Sequence, residues 1–395
     1  MNRPGVELPE VIKRYGDDFI ERFQPLGYHK GVLKSIVSCR TSQLGGHVDQ
    51  CEDCGYIRVS YNSCRNRHCP KCQQVNKERW IMAREADLLP VGYFHVVFTL
   101  PDTLNSLCHK YPKALYDLLF RSVRDTLFAF SADPRHLGAE TGFIAVLHTW
   151  GQALTLHPHL HCIIPAGGIT VMGNWKQTRG NGNFLFPVKA ISQVFRAKFR
   201  DGLKQIAAKC GFEVPLELQN RMNKSSWVVY AKAPFAGPEQ VIEYLGRYTH
   251  RVAISNHRLV SIEDGKVTFK YKDYRDGNKQ KLMTLDATEF LRRFCLHILP
   301  LRFVKIRHYG FLSSRRKATE LPALQGKVPE AKPIEPNQTI KAKQKLTWQE
   351  ISRKRLNFDP DVCPCCLTGR MQTIEILPPR SPPNMIKNQQ QVNRK

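Results

Sequence analysis

The chain is short of acid. Its 395 residues carry 34 Asp and Glu against 60 Lys and Arg, a formal net charge of +26. Such a surplus implies a polyanionic partner, nucleic acid first, and argues against a hydrolase of small phosphoesters. No run approaches the roughly 18 consecutive apolar residues that a membrane span requires, so no membrane partner is expected. Met1-Asn-Arg-Pro leads into a mixed polar segment without the apolar core of a signal peptide, which points to the cytoplasm. The thirteen cysteines are odd in number, and in a reducing compartment they read as thiolate ligands rather than disulfides. There is no Gly-x-x-x-x-Gly-Lys-Ser/Thr loop, hence no sign of a built-in helicase. Internal repeats are also missing, and the length allows two or three domains.

What is present begins with cysteine pairs. Cys51-Glu-Asp-Cys54 and Cys69-Pro-Lys-Cys72 are separated by fourteen residues, a spacing that can offer four thiolates to one structural zinc in a ribbon. His47, Cys64 and His68 are further candidates for this ion or for another. Arg58, Arg65, Arg67, Lys71, Lys77 and Arg79 interleave with Tyr56, Tyr61 and Trp80, a mixture suited to phosphate contact and base stacking. A later Cys363-Pro-Cys-Cys366 is followed by no Cys or His, and reads as a degenerate knuckle. The expected organisation is a helical segment plus zinc ribbon over 1–90, a main domain over 91–317, a flexible linker over 318–350, and the knuckle with a disordered tail over 351–395.

In the main domain, residues 93–101 read as a strand closed by proline, followed by a helix from about Thr103 to Phe130. Phe143 to His148 and Leu160 to Ile164 are apolar and β-branched, with Gly151 and Gln152 between them, a pattern for neighbouring strands. Pro158 cannot donate to a sheet ladder, so the second strand is expected to start at His159. Alternation then puts His159 and His161 on one face, about 7 Å apart, with Leu160, Cys162 and Ile164 on the other. With His148 or His157 as a third ligand, these imidazoles can hold one divalent ion. Val188 to Cys210 reads as a basic amphipathic helix, Arg258–Ile262 and Val267–Tyr271 as a hairpin turning at Asp264-Gly265. Leu301 to Lys317 contains six cations and no acid.

A second constellation lies on the helix expected after Pro238. Tyr244 and Tyr248 fall one turn apart on one face, and Arg247 and Arg251 repeat that interval beside them. A tyrosine hydroxyl with a pKa near 10 becomes a nucleophile only where cations stabilise its anion, which the arginines and a nearby ion would do.

A His-x-His strand followed by Tyr-x-x-x-Tyr resembles the HUH endonucleases of rolling-circle replication. The chain is similar in particular to the two-tyrosine transposases of bacterial insertion sequences, the insertion sequence 91 family. Ser63-Cys-Arg-Asn-Arg-His-Cys-Pro-Lys-Cys72, His148-Thr-Trp-Gly151, His157-Pro-His-Leu-His161, Tyr244-Leu-Gly-Arg-Tyr-Thr-His-Arg-Val-Ala-Ile-Ser-Asn256 and Ile306-Arg-His-Tyr-Gly-Phe-Leu312 carry the resemblance, which spans roughly residues 30–317. It implies an α+β fold, a ferredoxin-like HUH domain with a central antiparallel sheet, preceded by a zinc ribbon domain. It implies metal-dependent nicking and rejoining of single-stranded DNA at transposon ends and targets through a 5′-phosphotyrosine. Tyr244 and Tyr248 would be the nucleophiles, with Arg247 and Arg251 in the catalytic set. His148 is favoured as third ligand because related relaxases use a histidine eleven residues before the pair. The family implies Mg²⁺ or Mn²⁺ there, although imidazoles suit zinc-like ions better. Host helicase and replication machinery, in a bacterial, nucleoid-associated setting, would do the unwinding. A plasmid replication initiator or relaxase would share this chemistry, and a non-catalytic zinc-dependent nucleic-acid-binding protein would share the charge and the ribbon.

Overall fold

In the computed structural model the described residues are 5–380, except 86, 236–240, 242–245, 247–249, 251, 275 and 329–346. Tyr244, Arg247, Tyr248 and Arg251 therefore lie outside the described residues. The strands in chain order are β1 (Gly46–Cys51), β2 (Ile57–Tyr61), β3 (Tyr93–Thr99), β4 (Phe143–Trp150), β5 (Leu156–Pro165), β6 (Gly167–Ile169), β7 (Trp175–Gln177), β8 (Val229–Phe235), β9 (Leu259–Glu263), β10 (Lys266–Asp273), β11 (Lys279–Asp286), β12 (Ile306–Tyr309) and β13 (Met371–Leu377). The fold is mixed α+β, and each of two compact units is assembled from separated stretches of chain.

One unit comprises Ile81–Thr249 and Leu299–Lys341. Its centre is a five-stranded sheet in the order β12-β4-β5-β3-β8, antiparallel at every pairing. Alternation along these strands sorts the sheet into two unlike faces. Phe94, Val96 and Phe98 of β3, Phe143, Ala145 and Leu147 of β4, and Leu160, Cys162 and Ile164 of β5 all enter one apolar core. Helices Pro112–Ala132 and Val188–Cys210 supply the rest of that core, the second through Ile191, Phe195, Phe199 and Leu203 at helical spacing. Each fully buried Phe or Leu there contributes about 1.5–3 kcal/mol. The two helices approach so closely at Gly202 that a Cβ would sit 2.2 Å from Leu118 Cδ1, which only glycine avoids. The opposite face of the sheet carries the histidines.

Two local expectations in this unit are corrected. The helix expected from Thr103 to Phe130 is broken at Tyr111, between Asn105–Lys110 and Pro112–Ala132, because Pro112 starts a helix and cannot continue one. β5 begins at Leu156 rather than His159. Pro158 is tolerated because the β4–β5 register shifts between His148 and Trp150, while its carbonyl accepts from the Leu100 N–H at 3.0 Å.

The other unit comprises Met1–Trp80, His250–Ile298 and Ala342–Lys395. Helices Leu8–Phe23 and Gly27–Ser38 occupy the region expected to be helical. The first packs on helix Ala287–Cys295, whose Phe290, Leu291 and Phe294 are buried. The hairpin β9–β10 forms as expected, and β11 extends it to three strands, order β11-β10-β9. The stretch expected to be a flexible linker begins instead in helix Lys317–Gln325, which buries Leu321 and Leu324. The segment expected to hold a degenerate knuckle supplies β13 and most of helix Trp348–Arg355, while the tail expected beyond residue 380 lies outside the described residues. β13 pairs antiparallel with β1, giving the sheet β13-β1-β2. The expected boundary near residue 90 thus falls at 80, and residues 250–298 and the C-terminal segment join the N-terminal unit rather than standing apart.

Candidate metal centres and nucleic-acid chemistry

His159 stands directly opposite His148 across the β4–β5 pair, and His161 follows two residues along on the same face. One ring nitrogen from each of His148, His159 and His161 lies within 4.8 Å of the other two. The ring of His148 stands edge-on to both others, with centroids 5.5 Å from His159 and 4.6 Å from His161. Behind it Trp150 stacks at 4.6 Å, which fixes the imidazole plane. His157 is exposed, with its ring centroid 5.1 Å from that of His159, and it is not part of the three-nitrogen group.

The second nitrogens of His159 and His161 have defined partners. His159 Nδ1 lies 2.6 Å from the carbonyl oxygen of His157, to which it donates as an N–H. His161 Nδ1 meets His95 Nε2 at 2.8 Å, in a pair of rings stacked at 5.1 Å and 9°. His95 comes from β3, is buried, and its pKa falls to about 4 through desolvation first and the Lys232 charge second. A neutral His95 can accept the His161 Nδ1–H, leaving Nε2 of both His159 and His161 as the ligating type of nitrogen. This arrangement, a donated N–H behind both His159 and His161, is what orients imidazoles in metal sites. The donor set therefore fits one divalent ion. His95 was not singled out from the sequence: Tyr93-Phe-His-Val-Val-Phe reads as an ordinary strand, and only the pairing of β3 with β5 reveals its partner.

At one end this face is closed by Arg84, Asp87, Leu88 and Leu312 around Ile144 and Ile163. Asp87 pairs with Arg84 at 2.9 Å and with Lys317 at 2.7 Å. Arg307 pairs with Asp117 and lies 4.1 Å over the Phe120 ring, and Arg316 bridges Glu140 and Glu320. The acid-free basic run thus spends Arg307, Arg316 and Lys317 on acids elsewhere in its unit, while Arg302 and Arg315 are exposed. Around the cysteines, likewise, Arg58 pairs with buried Asp49, Lys71 with Glu7 and Lys77 with Glu78, while Arg65 and Arg79 are exposed.

The expected foursome of Cys51, Cys54, Cys69 and Cys72 is not one group. Cys69 and Cys72 gather with Cys39 and Cys64, and Cys51 and Cys54 gather with Cys363 and Cys366, each set with its sulfurs within 4.8 Å. The cause is the β1–β2 hairpin. Cys51 and Cys54 sit at its tip, whereas Cys64 follows its base, where Arg40 N–H bonds the Asn62 carbonyl and Cys64 N–H lies 3.5 Å from Cys39 Sγ. In the first set Cys39 and Cys64 lie 3.4 and 3.6 Å from Cys72, close to the edge of about 3.8 Å in a tetrahedron with zinc–sulfur bonds near 2.3 Å. His47 instead faces Asp49 at 3.5 Å, and neither it nor His68 joins a metal-holding group among the described residues.

Residues 142–319 match the family model described as a putative transposase, and residues 11–100 match that of a transposase zinc-binding domain. The span 11–100 contains all of Cys39, Cys64, Cys69 and Cys72. The putative transposase y4qJ of Sinorhizobium fredii is 44% identical over 400 residues, covering 96% of this chain and 99% of its own. The transposase for insertion sequence element IS801 of Pseudomonas savastanoi pv. phaseolicola is 32% identical over 359 residues, covering 87% and 83%. Among solved structures, the metal-bound conjugative relaxase TrwC in complex with oriT DNA aligns at 12% identity over 40% of this chain and 70% of its own, with a TM-score of 0.25. Near-full-length relatives and a matching zinc-binding domain place this chain in the insertion sequence 91 family of transposases.

Proposed function

We propose that this transposase cuts and rejoins single-stranded DNA at insertion-sequence ends by tyrosine transesterification, moving its element by a rolling-circle route. The observation that supports it is the His148–His159–His161 cluster on the sheet face opposite the apolar core. An ion bound there would supply Lewis-acid polarisation of the scissile phosphate, the ion being Mg²⁺ or Mn²⁺ on the family resemblance. The chain's own residues do the rest. His159, through the His157 carbonyl, and His161, through His95, keep their Nδ1 protonated and so present neutral Nε2 donors. Tyr244 or Tyr248, deprotonated with help from Arg247 and Arg251, attacks phosphorus. The new bond is tyrosyl oxygen to phosphorus, and the bond that breaks is phosphorus to the 3′ oxygen, which leaves as a 3′-OH after taking a proton. In rejoining, a 3′-OH attacks the phosphotyrosine and restores the phenol, so bond energy is conserved and no ATP is consumed. Unwinding falls to host helicase and replication machinery.

The proposal is tested by supplying single-stranded oligonucleotides carrying an element end, with Mn²⁺ and without nucleotide triphosphate. Recombinant strands of new length are expected. Hydrolytic nicks with no rejoined product would contradict the transesterification, and the non-catalytic reading requires no cleavage at all.

A further inference from the structure

We infer that the chain holds a second structural zinc, bound by Cys51, Cys54, Cys363 and Cys366, and that this ion fastens the C-terminal segment to the N-terminal unit. Only Cys51 and Cys54 fall within the matched zinc-binding span, residues 11–100. Their partners come from more than 300 residues further along the chain.

The sulfur geometry is that of a metal site. Cys51 Sγ lies 3.7 Å from Cys366 Sγ, and Cys54 Sγ lies 3.7 Å from Cys363 Sγ. A disulfide requires about 2.05 Å, whereas a tetrahedron of sulfurs around zinc has edges of about 3.8 Å. Backbone donors are turned to the sulfurs: Cys365 N–H lies 3.3 Å from Cys363 Sγ, and Gly369 N–H lies 3.3 Å from Cys366 Sγ. Amide donors stabilise thiolate rather than thiol. Both arms turn tightly. Gly55 N–H bonds the Cys51 carbonyl at 3.1 Å, and Leu367 N–H bonds the Cys363 carbonyl at 3.0 Å with Leu367 at φ 63°. At Gly369 a Cβ would stand 2.5 Å from Cys51 Sγ, so the arms close on each other with no room for a side chain. Four thiolates this near repel one another without a cation between them.

The segment also needs such a staple. Residues 347–380 contain one short helix and one strand, too little chain to build a core alone. Its other ties include the β13–β1 pairing, Thr373 Oγ1 donating to buried Asp49 at 2.8 Å, Arg58 donating to the Pro360 carbonyl at 3.0 Å, and Arg355 pairing with Glu78 at 3.2 Å. The first three stand on β1 or β2, the hairpin whose tip carries Cys51 and Cys54.

Two arms test this on the full-length chain. In the first, zinc is measured by elemental analysis in the parent and in the Cys363→Ser/Cys366→Ser double variant. One equivalent fewer per chain is expected in the variant, and an unchanged content would overturn the site. The second arm keeps every cysteine. A site-specific protease sequence is placed within residues 329–346, and the cleaved protein is run on gel filtration before and after a mercurial displaces zinc. The C-terminal fragment should co-elute until zinc leaves, and then separate. A fragment that separates with all zinc retained, or one that stays bound after all zinc is gone, would overturn the fastening role. This arm decides the matter if the double variant does not fold.

Discussion

His95 Nε2 and His161 Nδ1 face each other at 2.8 Å across the β3–β5 pair, in a buried stack of rings. In the proposed mechanism His95 is a positioning residue for His161. His95→Ala should leave the sheet folded but weaken divalent-ion affinity about 10- to 100-fold, the usual cost of losing an outer partner of a ligand. Titration of Mn²⁺ by calorimetry checks this, and excess Mn²⁺ should restore nicking. An unchanged titration would remove His95 from the site.

His159→Ala and His161→Ala should each abolish nicking while sparing most DNA binding, because phosphate affinity is spread over many Lys and Arg. His148→Ala should be nearly as damaging, since its nitrogen belongs to the cluster, and His157→Ala milder. Gel-shift and cleavage assays on the same preparations separate the two effects. Normal cleavage by the His159 or His161 variant would contradict the assignment.

Stripping zinc should unfold the N-terminal unit. Cys39, Cys64, Cys69 and Cys72 tie the end of helix Gly27–Ser38 to the start of helix Gln73–Glu85, and ionised thiols cannot remain that close without a cation. Circular dichroism during chelation should report the loss, and protein purified without zinc yet fully folded would refute it.

DNA affinity should fall steeply with salt, by about 0.7 log units per log unit of salt for each phosphate neutralised on a single strand. Single strands should bind more tightly than blunt duplex, because an attacking tyrosine needs an exposed backbone. Since Arg307, Arg316 and Lys317 are committed to Asp117, Glu140, Glu320 and Asp87, charge reversal at exposed Arg302 or Arg315 should lower the slope with little loss of stability. Equal or tighter duplex binding would count against this.

Local chemistry made much of this legible from residues alone. The alternation of His159-Leu160-His161 gave one apolar and one histidine-bearing face, and the run Phe143 to His148 marked the neighbouring strand. Contacts closed across long stretches of chain were not legible. Cys363 and Cys366 look like half a site because their partners, Cys51 and Cys54, precede them by over 300 residues. The even spacing of Cys51, Cys54, Cys69 and Cys72 suggested one ribbon, because spacing does not reveal that a hairpin separates the two pairs. The acid-free run from Leu301 to Lys317 overstated its unpaired charge, since Arg307, Arg316 and Lys317 fold against acids outside it. Pro158 misled for a local reason, the register shift that accommodates it.

The central claim, a tyrosine nucleophile, is tested most directly by a covalent adduct. The full-length protein is incubated with single-stranded DNA of an element end and Mn²⁺, resolved on a denaturing gel, and the linked peptide is mapped by mass spectrometry. Tyr244 and Tyr248 should carry the 5′-phosphate. Tyr244→Phe and Tyr248→Phe, which keep the ring and remove the oxygen, should each block transposition in cells while retaining some single-site cleavage, and the double replacement should give no adduct. A phosphotyrosine at Tyr230, Tyr271 or Tyr274, or full transposition by both single variants, would contradict the account.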